Sequence, residues 1–464
     1  MSPDRTVLGT GAAVPSPSPA SWALPRTTGP YLTGTAGPAR LTGIDAARGL
    51  ALLGMVVAHI GLTSCGLTSP EGLLSVVHGR SSVLFAVIAG FSLGIMTGRT
   101  TPHRGACLVS ARLRILVRCA LLLVLGALCT LLDTSVAVIL GFYAAWLALA
   151  LPFVRLRASV LLALSAVIAL IGPVLLIVLP LSLAELGLSS STDDGNDAVL
   201  SFFVYGTYPG LLWVAYILLG LGLSRLDWGR SAQLWRLAGA GALCAILGYG
   251  GAVAAGHALG LPEPDRPVLV TPADPLQCAP GTAPSGLPGG GLPEVPGSSG
   301  SSRLPAVPPS SDLPPGPTAP VPVPQGDQGA EGTDRPVAEA DYGPLSSSHW
   351  SSLITARPHA NTSFEAVGSS GVAMLVIALA QLIAARSRLV LAPLAAVGSM
   401  SLTAYCAHLV VIHAATLTPG TGNGAALAVC LGLVLAAMAW FTVFARGPLE
   451  HVVHVISLRA TQAD

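Results

Sequence analysis

Recurrent apolar segments, each long enough to cross a lipid bilayer, constrain this chain more than any other feature. A helix needs roughly 20 apolar residues to span a hydrocarbon core about 30 Å thick. Hydrophobic residues make up 52% of the 464 residues and charged residues only 10%, whereas a soluble domain carries about 25% charge. The sequence therefore predicts an all-α, polytopic integral membrane protein with about ten transmembrane helices. The ten segments lie at about 44–63, 81–98, 119–135, 136–153, 158–180, 201–223, 237–259, 366–385, 391–415 and 425–445.

Arginine positions predict the orientation of these helices. Arginine near helix ends marks the cytoplasmic side of a membrane protein. Arginines follow every even-numbered segment, whereas the short loops after odd-numbered segments are acidic or neutral. Both termini are therefore expected in the cytoplasm. The arginines concerned are Arg99, Arg104, Arg112, Arg114, Arg118, Arg155, Arg157, Arg225, Arg230, Arg236, Arg386, Arg388, Arg446 and Arg459.

The apolar segments fall into two groups separated by a proline-rich stretch. Residues 1–40 are rich in Pro, Ser, Thr and Gly and predict a disordered cytoplasmic tail. Residues 41–260 contain seven segments, and 261–350 contain 21 of the 38 prolines, which predicts a disordered external linker. Residues 351–464 contain the last three segments and a short cytoplasmic tail.

Charge and cysteine usage exclude some classes of function. The net charge of +1, without a basic patch interleaved with aromatic residues, argues against a nucleic-acid partner. None of the eight cysteines has the CxxC spacing of a metal or redox site, so no metal is expected. Cys65 and Cys278 fall in predicted external loops, and a disulfide between them is left open.

The first segment carries a charged pair at one end and a histidine at the other. Asp45 precedes Arg48 by three positions and can pair with it on one helix face. His59 follows Arg48 by eleven positions, which returns to nearly the same face some 16 Å further along. The pair and the histidine could form a stripe that links the two membrane faces. Alternatively, Asp45 and Arg48 anchor the helix at the interface while His59 snorkels at the opposite boundary.

A second cluster precedes the second segment. His78 and Arg80 flank Gly79, and Arg80 lies on the predicted external side, against the general arginine bias. Its guanidinium could grip a carboxylate, a phosphate or a polarised carbonyl. Gly90 and Gly94, four residues apart in the same segment, favour helix packing rather than catalysis.

Two further stretches near the C-terminal segments carry polar side chains. His359 precedes the eighth segment, where Thr362 or Ser363 is expected to cap the helix. Ser401, Tyr405 and His408 are spaced i, i+4 and i+7 in the ninth segment and form a polar stripe. Such a stripe indicates either a functional site or hydrogen-bonded helix packing.

Histidines concentrate on the predicted external side. Seven of the ten are placed there by the topology, and His257 and His349 among them are expected to be bystanders. Because histidine is suited to acid–base chemistry near neutral pH, this asymmetry predicts an external reaction site. The seven are His59, His78, His257, His349, His359, His408 and His413.

These motifs, in their order along the chain, resemble bacterial members of the heparan-α-glucosaminide N-acetyltransferase-like membrane family, which are related to type-3 membrane acyltransferases. The similarity covers about 41–455 apart from the linker, and the C-terminal part resembles a domain of unknown function. The motifs are Asp45-Ala-Ala-Arg48-Gly, Arg48-x10-His59, Gly79-Arg80-Ser81 with Leu84-Phe85, Gly206-Thr207-Tyr208-Pro209-Gly210, Pro358-His359, Ser401-Leu402-Thr403-Ala404-Tyr405 and Gly447-Pro448-Leu449-Glu450.

The resemblance implies transfer of an acyl group, acetyl above all, from cytoplasmic acyl-CoA to an extracytoplasmic glycan or lipid acceptor. His59 is then expected to act as general base or transient acyl carrier, with His78 and His408 as further catalytic residues. Residues 61–77, the first external loop, contain no histidine, whereas the animal lysosomal enzyme has its catalytic histidine in that loop. The expected substrate-binding residues are Asp45, Arg48, Arg80, His359, Ser401 and Tyr405.

Two other functions compete with acyl transfer. Ten helices with polar stripes could form the route of a small-molecule transporter or flippase, although the charges lie at helix ends rather than near the bilayer midplane. A non-catalytic envelope scaffold could instead use the external linker to bind partners.

Overall fold

The computed structural model describes residues 23–24, 41–62, 74–185, 201–205, 208–260 and 347–461. These residues form helices joined by short connections, and no β-strand occurs among them. The helices are α1 (Thr42–Ile60), α2 (Arg80–Met96), α3 (Gly105–Thr130), α4 (Leu140–Ala150), α5 (Ala158–Glu185), α6 (Gly210–Ser224), α7 (Ser231–Ala258), α8 (Ser347–Ser352), α9 (Ser363–Arg386), α10 (Ala392–Ser399), α11 (Ser401–Ala414), α12 (Asn423–Val443) and α13 (Pro448–Arg459).

The helices are those of a multi-pass membrane protein. Among the described residues, seven helices are long and apolar enough to cross a membrane, or eight when α10 and α11 are taken as one bent span. Two shorter apolar helices, Leu140–Arg155 and Gly210–Ser224, coincide with the remaining predicted segments. The all-α membrane fold is thus confirmed, while the count of ten crossings and the cytoplasmic position of the termini stay predictions.

Three boundaries differ from the sequence predictions. Helix α3 begins at Gly105, well before 119, because its arginines are good helix formers and extend the helix beyond the apolar segment. The predicted short C-terminal tail contains α13, which begins at Pro448 and packs against α3 and α11. The end of the predicted linker forms α8. The rest of that linker, most of the N-terminal tail, and both Cys65 and Cys278 lie outside the described residues.

The ninth predicted segment is not one helix. Helices α10 and α11 meet at Met400 with a bend of 84°, and Met400 has φ −120° and ψ 38°, outside helical values. The broken ends are satisfied by side chains from elsewhere. The Glu450 carboxylate accepts hydrogen bonds from the backbone N–H groups of Leu402 (2.7 Å) and Thr403 (3.2 Å). Because Glu450 caps these donors, the break does not leave them unpaired inside the bundle.

Glycines allow the two pairs of helices at the centre of the bundle to pack closely. A Cβ atom on Gly90 of α2 would overlap the carbonyl oxygen of Ile217, and one on Gly220 of α6 would overlap that of Val87. Gly94 faces Ser224 in the same way. Gly90 and Gly94 therefore serve helix packing, as their spacing indicates, and small residues are the usual basis of close approach between membrane helices.

Helix α1 packs in the same manner against α10. Cβ atoms on Gly49 and Gly398 would overlap the backbone carbonyls of Leu394 and Asp45, respectively. This contact holds the Asp45–Arg48 end of α1 against the helix break at Met400, so the first part of the chain and the last are joined at the centre of the bundle.

Substitution of Gly220 tests this packing. The added methyl group of Gly220→Ala would force α2 and α6 apart, and we expect a loss of about 1–3 kcal/mol of stability. Gly239→Ala is the matched control, because Gly239 lies in α7 with nothing near its Cβ position. The fraction of detergent-solubilised protein that remains monodisperse after heating measures the difference. If the temperature at which half of the protein remains monodisperse is the same for the two variants, the packing argument is wrong.

Candidate functional site

Two histidines from opposite ends of the chain meet at the centre of the site. Nδ1 of His59, at the end of α1, lies 3.3 Å from Nε2 of His408 in α11. The rings are stacked, with an interplanar angle of 12°, and His408 is fully buried. One nitrogen of such a pair must donate and the other accept, so the tautomers of the two rings are coupled. If His59 Nδ1 donates, its Nε2 is left as the basic atom.

The other two predicted histidines join this pair. His78 and His359 lie near enough to His59 to interact with it electrostatically. The ring of His359 also packs edge-on against Tyr208, with centroids 5.7 Å apart. His59, His78, His359 and His408, which we call the histidine cluster, therefore come from four separate stretches of sequence.

The loop that carries His359 is held by a buried carboxylate. Glu365, in the first turn of α9, is 4% exposed. Its Oε1 accepts a hydrogen bond from the backbone N–H of His359 at 2.7 Å, and its Oε2 accepts one from Asn361 at 2.6 Å. Thr362 caps α9 by accepting from the N–H of Glu365, as the sequence predicts. Glu365 was not among the predicted site residues, although the Thr-x-x-Glu spacing of a capping box points to it.

The same loop has an unfavourable backbone conformation. His359 (φ 61°) and Asn361 (φ 55°) both lie in the left-handed region, which costs energy for residues other than glycine. Asn361 is fixed further because its Oδ1 accepts a hydrogen bond from Trp213 Nε1 at 3.1 Å. In the described part of the chain, the buried Nδ1 of His359 has no hydrogen-bond partner. Strain and an unsatisfied ring nitrogen together are features that cluster at functional sites.

Arg80 supports the cluster from within the protein. Its Nε donates to the hydroxyl of Tyr249 at 2.9 Å, and its guanidinium lies 4.5 Å from the centre of the same ring. The Tyr249 hydroxyl in turn lies 2.8 Å from Ser369 Oγ. Arg80 also contacts the backbone carbonyl of His78. Arg80 is only 5% exposed and is bonded on several sides. It therefore holds the His78 turn in position, in addition to any contact that it makes with a substrate.

Arg48 occupies the opposite end of α1. It pairs with Asp45 at 3.3 Å and donates to Ser92 Oγ of α2 at 2.6 Å. It also donates to the carbonyl oxygen of Gly398, one of the free carbonyls at the end of α10. The pairing with Asp45 matches the predicted helix-face pair, and the link to Gly398 explains how the broken helix tolerates its exposed C-terminus.

Arg48 also lines a cavity of about 490 Å³ between α2, α3, α4, α11 and α13. Apolar side chains such as Phe85, Leu140 and Leu147 form much of its wall. Ser401 and Tyr405 line it as well, so two of the three residues of the predicted stripe of α11 face this space. A largely apolar cavity with a few polar groups is the usual form of a small-molecule site.

One end of the cavity is cationic. Arg118, Arg446 and His454 line it near the end of α2, where Arg118 contacts Met96 at 3.1 Å. Burial, together with the positive charges of Arg446 and Arg118, lowers the pKa of His454 to about 4. The two guanidiniums therefore act on an uncharged imidazole and have no acidic partner among the described ion pairs. None of these three is among the predicted site residues, since Arg118 and Arg446 serve there as markers of the cytoplasmic side and His454 falls in the predicted tail.

Tyr405 connects the cavity to the histidine cluster. Its ring lines the cavity and packs edge-on against the ring of His408, with centroids 5.0 Å apart. Its hydroxyl accepts a hydrogen bond from the backbone N–H of Ile139 at 3.2 Å. His408 does not line the cavity itself. The cavity and the cluster are thus adjacent along α11, with one layer of side chains between them.

Together these elements define a multi-pass membrane protein in which an apolar cavity with a cationic end adjoins the histidine cluster, whose His408 is buried and whose other members are half-buried. No group of three or more His, Cys, Asp or Glu side chains in the described ranges could hold a metal ion. The prediction that the protein uses no metal stays a prediction.

Two regions of the chain match known protein families. Residues 40–251 match the family described as heparan-alpha-glucosaminide N-acetyltransferase, catalytic, and residues 345–460 match a protein family of unknown function, DUF418. The chain therefore contains a region similar to the catalytic domain of heparan-alpha-glucosaminide N-acetyltransferase and a region similar to this family of unknown function, as the resemblance predicts. Comparison with curated proteins and with solved structures gives no match. His59 and His78 fall in the first matched region, and His359 and His408 in the second.

The buried state of His359 gives a pH dependence that can be measured. Burial lowers the pKa of His359 to about 4, so between about 6.5 and 4 the unfolded chain binds a proton that the folded chain excludes. Stability must then fall as the pH decreases through that range. His359→Gln is expected to reduce the slope by up to about 1.4 kcal/mol per pH unit.

Thermal unfolding midpoints between pH 7 and pH 4.5 provide the measurement. The matched control is His257→Gln, which removes an exposed histidine of α7 and should leave the slope unchanged. Parallel slopes for His359→Gln and the unsubstituted protein would show that His359 does not hold its buried, neutral state.

Proposed function

We propose that this protein is a membrane-embedded acyltransferase that moves an acyl group, acetyl above all, from cytoplasmic acyl-CoA to a hydroxyl or amine of an extracytoplasmic glycan or lipid. The observation that carries the proposal is the His59–His408 pair, 3.3 Å apart, one side-chain layer from an apolar cavity. The match to the catalytic family supports acetyl transfer in general, and we extend it to this donor and acceptor.

The cavity suits the donor. The thioester arm of acyl-CoA is long and uncharged, whereas its nucleotide end carries phosphates. The cavity is largely apolar along its wall and cationic at one end. Arg118 and Arg446 would hold phosphate oxygens, since guanidinium groups form strong charge-assisted hydrogen bonds with them. Arg48, with Ser401 and Tyr405 nearby in the wall, would lie beside the thioester arm. This end of the bundle is the one that the arginine bias predicts to be cytoplasmic.

The histidine cluster suits the transfer step. The acceptor oxygen or nitrogen attacks the thioester carbonyl carbon, His59 Nε2 takes its proton, and the carbon–sulfur bond breaks to release the CoA thiolate. His408 fixes the tautomer of His59 by accepting from Nδ1, as the orienting partner of a general base does. The unsatisfied Nδ1 of His359 is available to the acceptor. His59 would serve equally well as a transient acyl carrier, in which case CoA leaves before the acceptor reacts.

Substitution of the paired histidines tests this function. We expect His59→Ala and His408→Gln each to reduce acyl transfer by at least about 100-fold, because general-base catalysis contributes roughly 10²–10⁴. The measurement is transfer of radiolabel from acyl-CoA into surface glycans and lipids of cells that make each variant. His413→Ala, an exposed histidine of the same helix, is the control. Persistent transfer in His59→Ala would remove His59 from the mechanism.

The release of CoA without acceptor separates the two roles of His59. Purified protein in lipid nanodiscs, mixed with excess acyl-CoA, releases about one equivalent of CoA at once if His59 carries the acyl group. A general base gives no such burst. His59→Ala must lack the burst if the carrier role holds.

Substitution at the cationic end tests the donor site separately. Arg118→Gln is expected to raise the KM for acyl-CoA about tenfold with little change in kcat, because it removes a phosphate contact remote from the reacting bond. Arg114→Gln is the matched control: it lies on the same helix, bonds to Thr461 and does not line the cavity. A loss of kcat with unchanged KM in Arg118→Gln would refute the proposed donor contact.

Transport is the second candidate, and the break between α10 and α11 favours it. Discontinuous helices often form the substrate sites of secondary transporters. Uptake or flipping of a labelled acceptor lipid into protein-containing vesicles, without any acyl-CoA, would support transport. Covalent modification that depends on acyl-CoA supports the transferase.

A further inference from the structure

A second pocket, distinct from the cavity of the proposed donor site, lies at the end of the bundle where α3 and α5 begin. Its volume is about 340 Å³, and four arginines line it: Arg104, Arg155, Arg157 and Arg225. None of its described lining residues is acidic, and it shares no lining residue with the larger cavity. Arg104, Arg155 and Arg157 are exposed and take part in none of the described ion pairs.

Two helix N-termini add to this positive charge. Arg104 is the N-cap residue of α3, which has no side-chain cap, and Arg157 directly precedes α5. Neither helix has an acidic residue in its first turn. Each helix N-terminus carries roughly +0.5 of an elementary charge, so an arginine there is repelled. Two cations at two helix N-termini therefore form an arrangement that an anion would stabilise.

Arg225 gives the pocket a fixed donor. Its guanidinium donates to the backbone carbonyl oxygens of Arg99 and Val154, which ties together the loops after α2 and α4. Its buried Nε has no hydrogen-bond partner in the described part of the chain. The pocket thus contains one partly buried guanidinium held in place and three exposed ones around it, the pattern of a phosphate site.

The surroundings identify the source of the anion. Val109 near the start of α3 is 57% exposed, and Val160 in the first turn of α5 is 46% exposed. Both helices are candidate membrane spans and continue with further exposed aliphatic side chains such as Leu113 and Val167. The pocket therefore lies at the ends of two candidate membrane spans with exposed aliphatic faces, where the headgroups of a surrounding bilayer would lie.

We propose that the pocket formed by Arg104, Arg155, Arg157 and Arg225 binds the phosphate headgroup of an anionic phospholipid in the membrane leaflet that faces the cytoplasm. The acyl chains of that lipid would then run along the exposed faces of α3 and α5. Basic pockets beside membrane helices on the cytoplasmic side are suited to such headgroups. Arg225, by holding the loops together, would transmit the presence of the lipid to the ends of α2, α4 and α6.

The test is lipid binding by the purified full-length protein. Native mass spectrometry counts the phosphatidylglycerol molecules retained by the unsubstituted protein and by the Arg155→Gln/Arg157→Gln double variant, with phosphatidylcholine as the neutral probe. The expected result is about a thirtyfold weaker affinity of the double variant for phosphatidylglycerol, roughly fivefold for each arginine. Arg104→Gln supplies a second variant, with about a fivefold loss.

The control variant removes two positive charges, as the double variant does, but from arginines outside the pocket. Arg236→Gln/Arg386→Gln takes away two exposed arginines outside the pocket, and its phosphatidylglycerol affinity should match that of the unsubstituted protein. Equal losses in control and test variants would show a general charge effect and overturn the site. Complete displacement of the lipid by millimolar inorganic phosphate would show a site for free phosphate and overturn the assignment to lipid.

Discussion

The capped break between α10 and α11 is the constraint on which the site depends. A helix that stops inside a membrane bundle exposes backbone donors on one side of the break and acceptors on the other, and lipid satisfies neither. Glu450 supplies acceptors for the N–H groups of Leu402 and Thr403, and Arg48 supplies a donor for the carbonyl of Gly398. Because both partners come from other helices, α1 and α13 are fixed relative to the break.

This arrangement determines where α11 points. The bend of 84° directs the helix so that Tyr405 lines the cavity while His408 reaches His59. A straight helix could not have its start at the level of Arg48 and also turn its histidine toward the end of α1 along this path. Removal of the Glu450 carboxylate would leave buried donors unpaired, which costs about 1–3 kcal/mol for each group.

The sequence predicts the helices and most of the cluster for clear physical reasons. Apolar length identifies membrane helices, and an aspartate three residues before an arginine pairs with it on one face, as Asp45 and Arg48 do. The topology also places His59, His78, His359 and His408 at one level of the membrane, which is why they can meet. The glycine pattern of α2 likewise indicates packing without knowledge of its partner α6.

Other features depend on contacts between distant parts of the chain. Gly398 and Ser399 beside Met400 are of the type found at helix kinks, but the carboxylate that caps the break belongs to Glu450, fifty residues further on, and only the fold shows this contact. Arg80 looks like a free external cation in the sequence, but Tyr249 holds it within the bundle. Glu365 looks like an ordinary residue of a capping box, and only the folded loop shows that its carboxylate supports the backbone of His359. Such roles cannot be predicted from local pattern.

The site depends on both matched regions of the chain, because each region supplies some of its residues. The first matched region supplies His59 and His78, but the hydrogen-bond partner of His59, His408, comes from the region of unknown function. Glu450 and Arg446, which close the helix break and the cavity, also come from that second region. The second region is therefore part of the site, because it provides His408, the helix cap Glu450 and part of the cationic wall of the cavity.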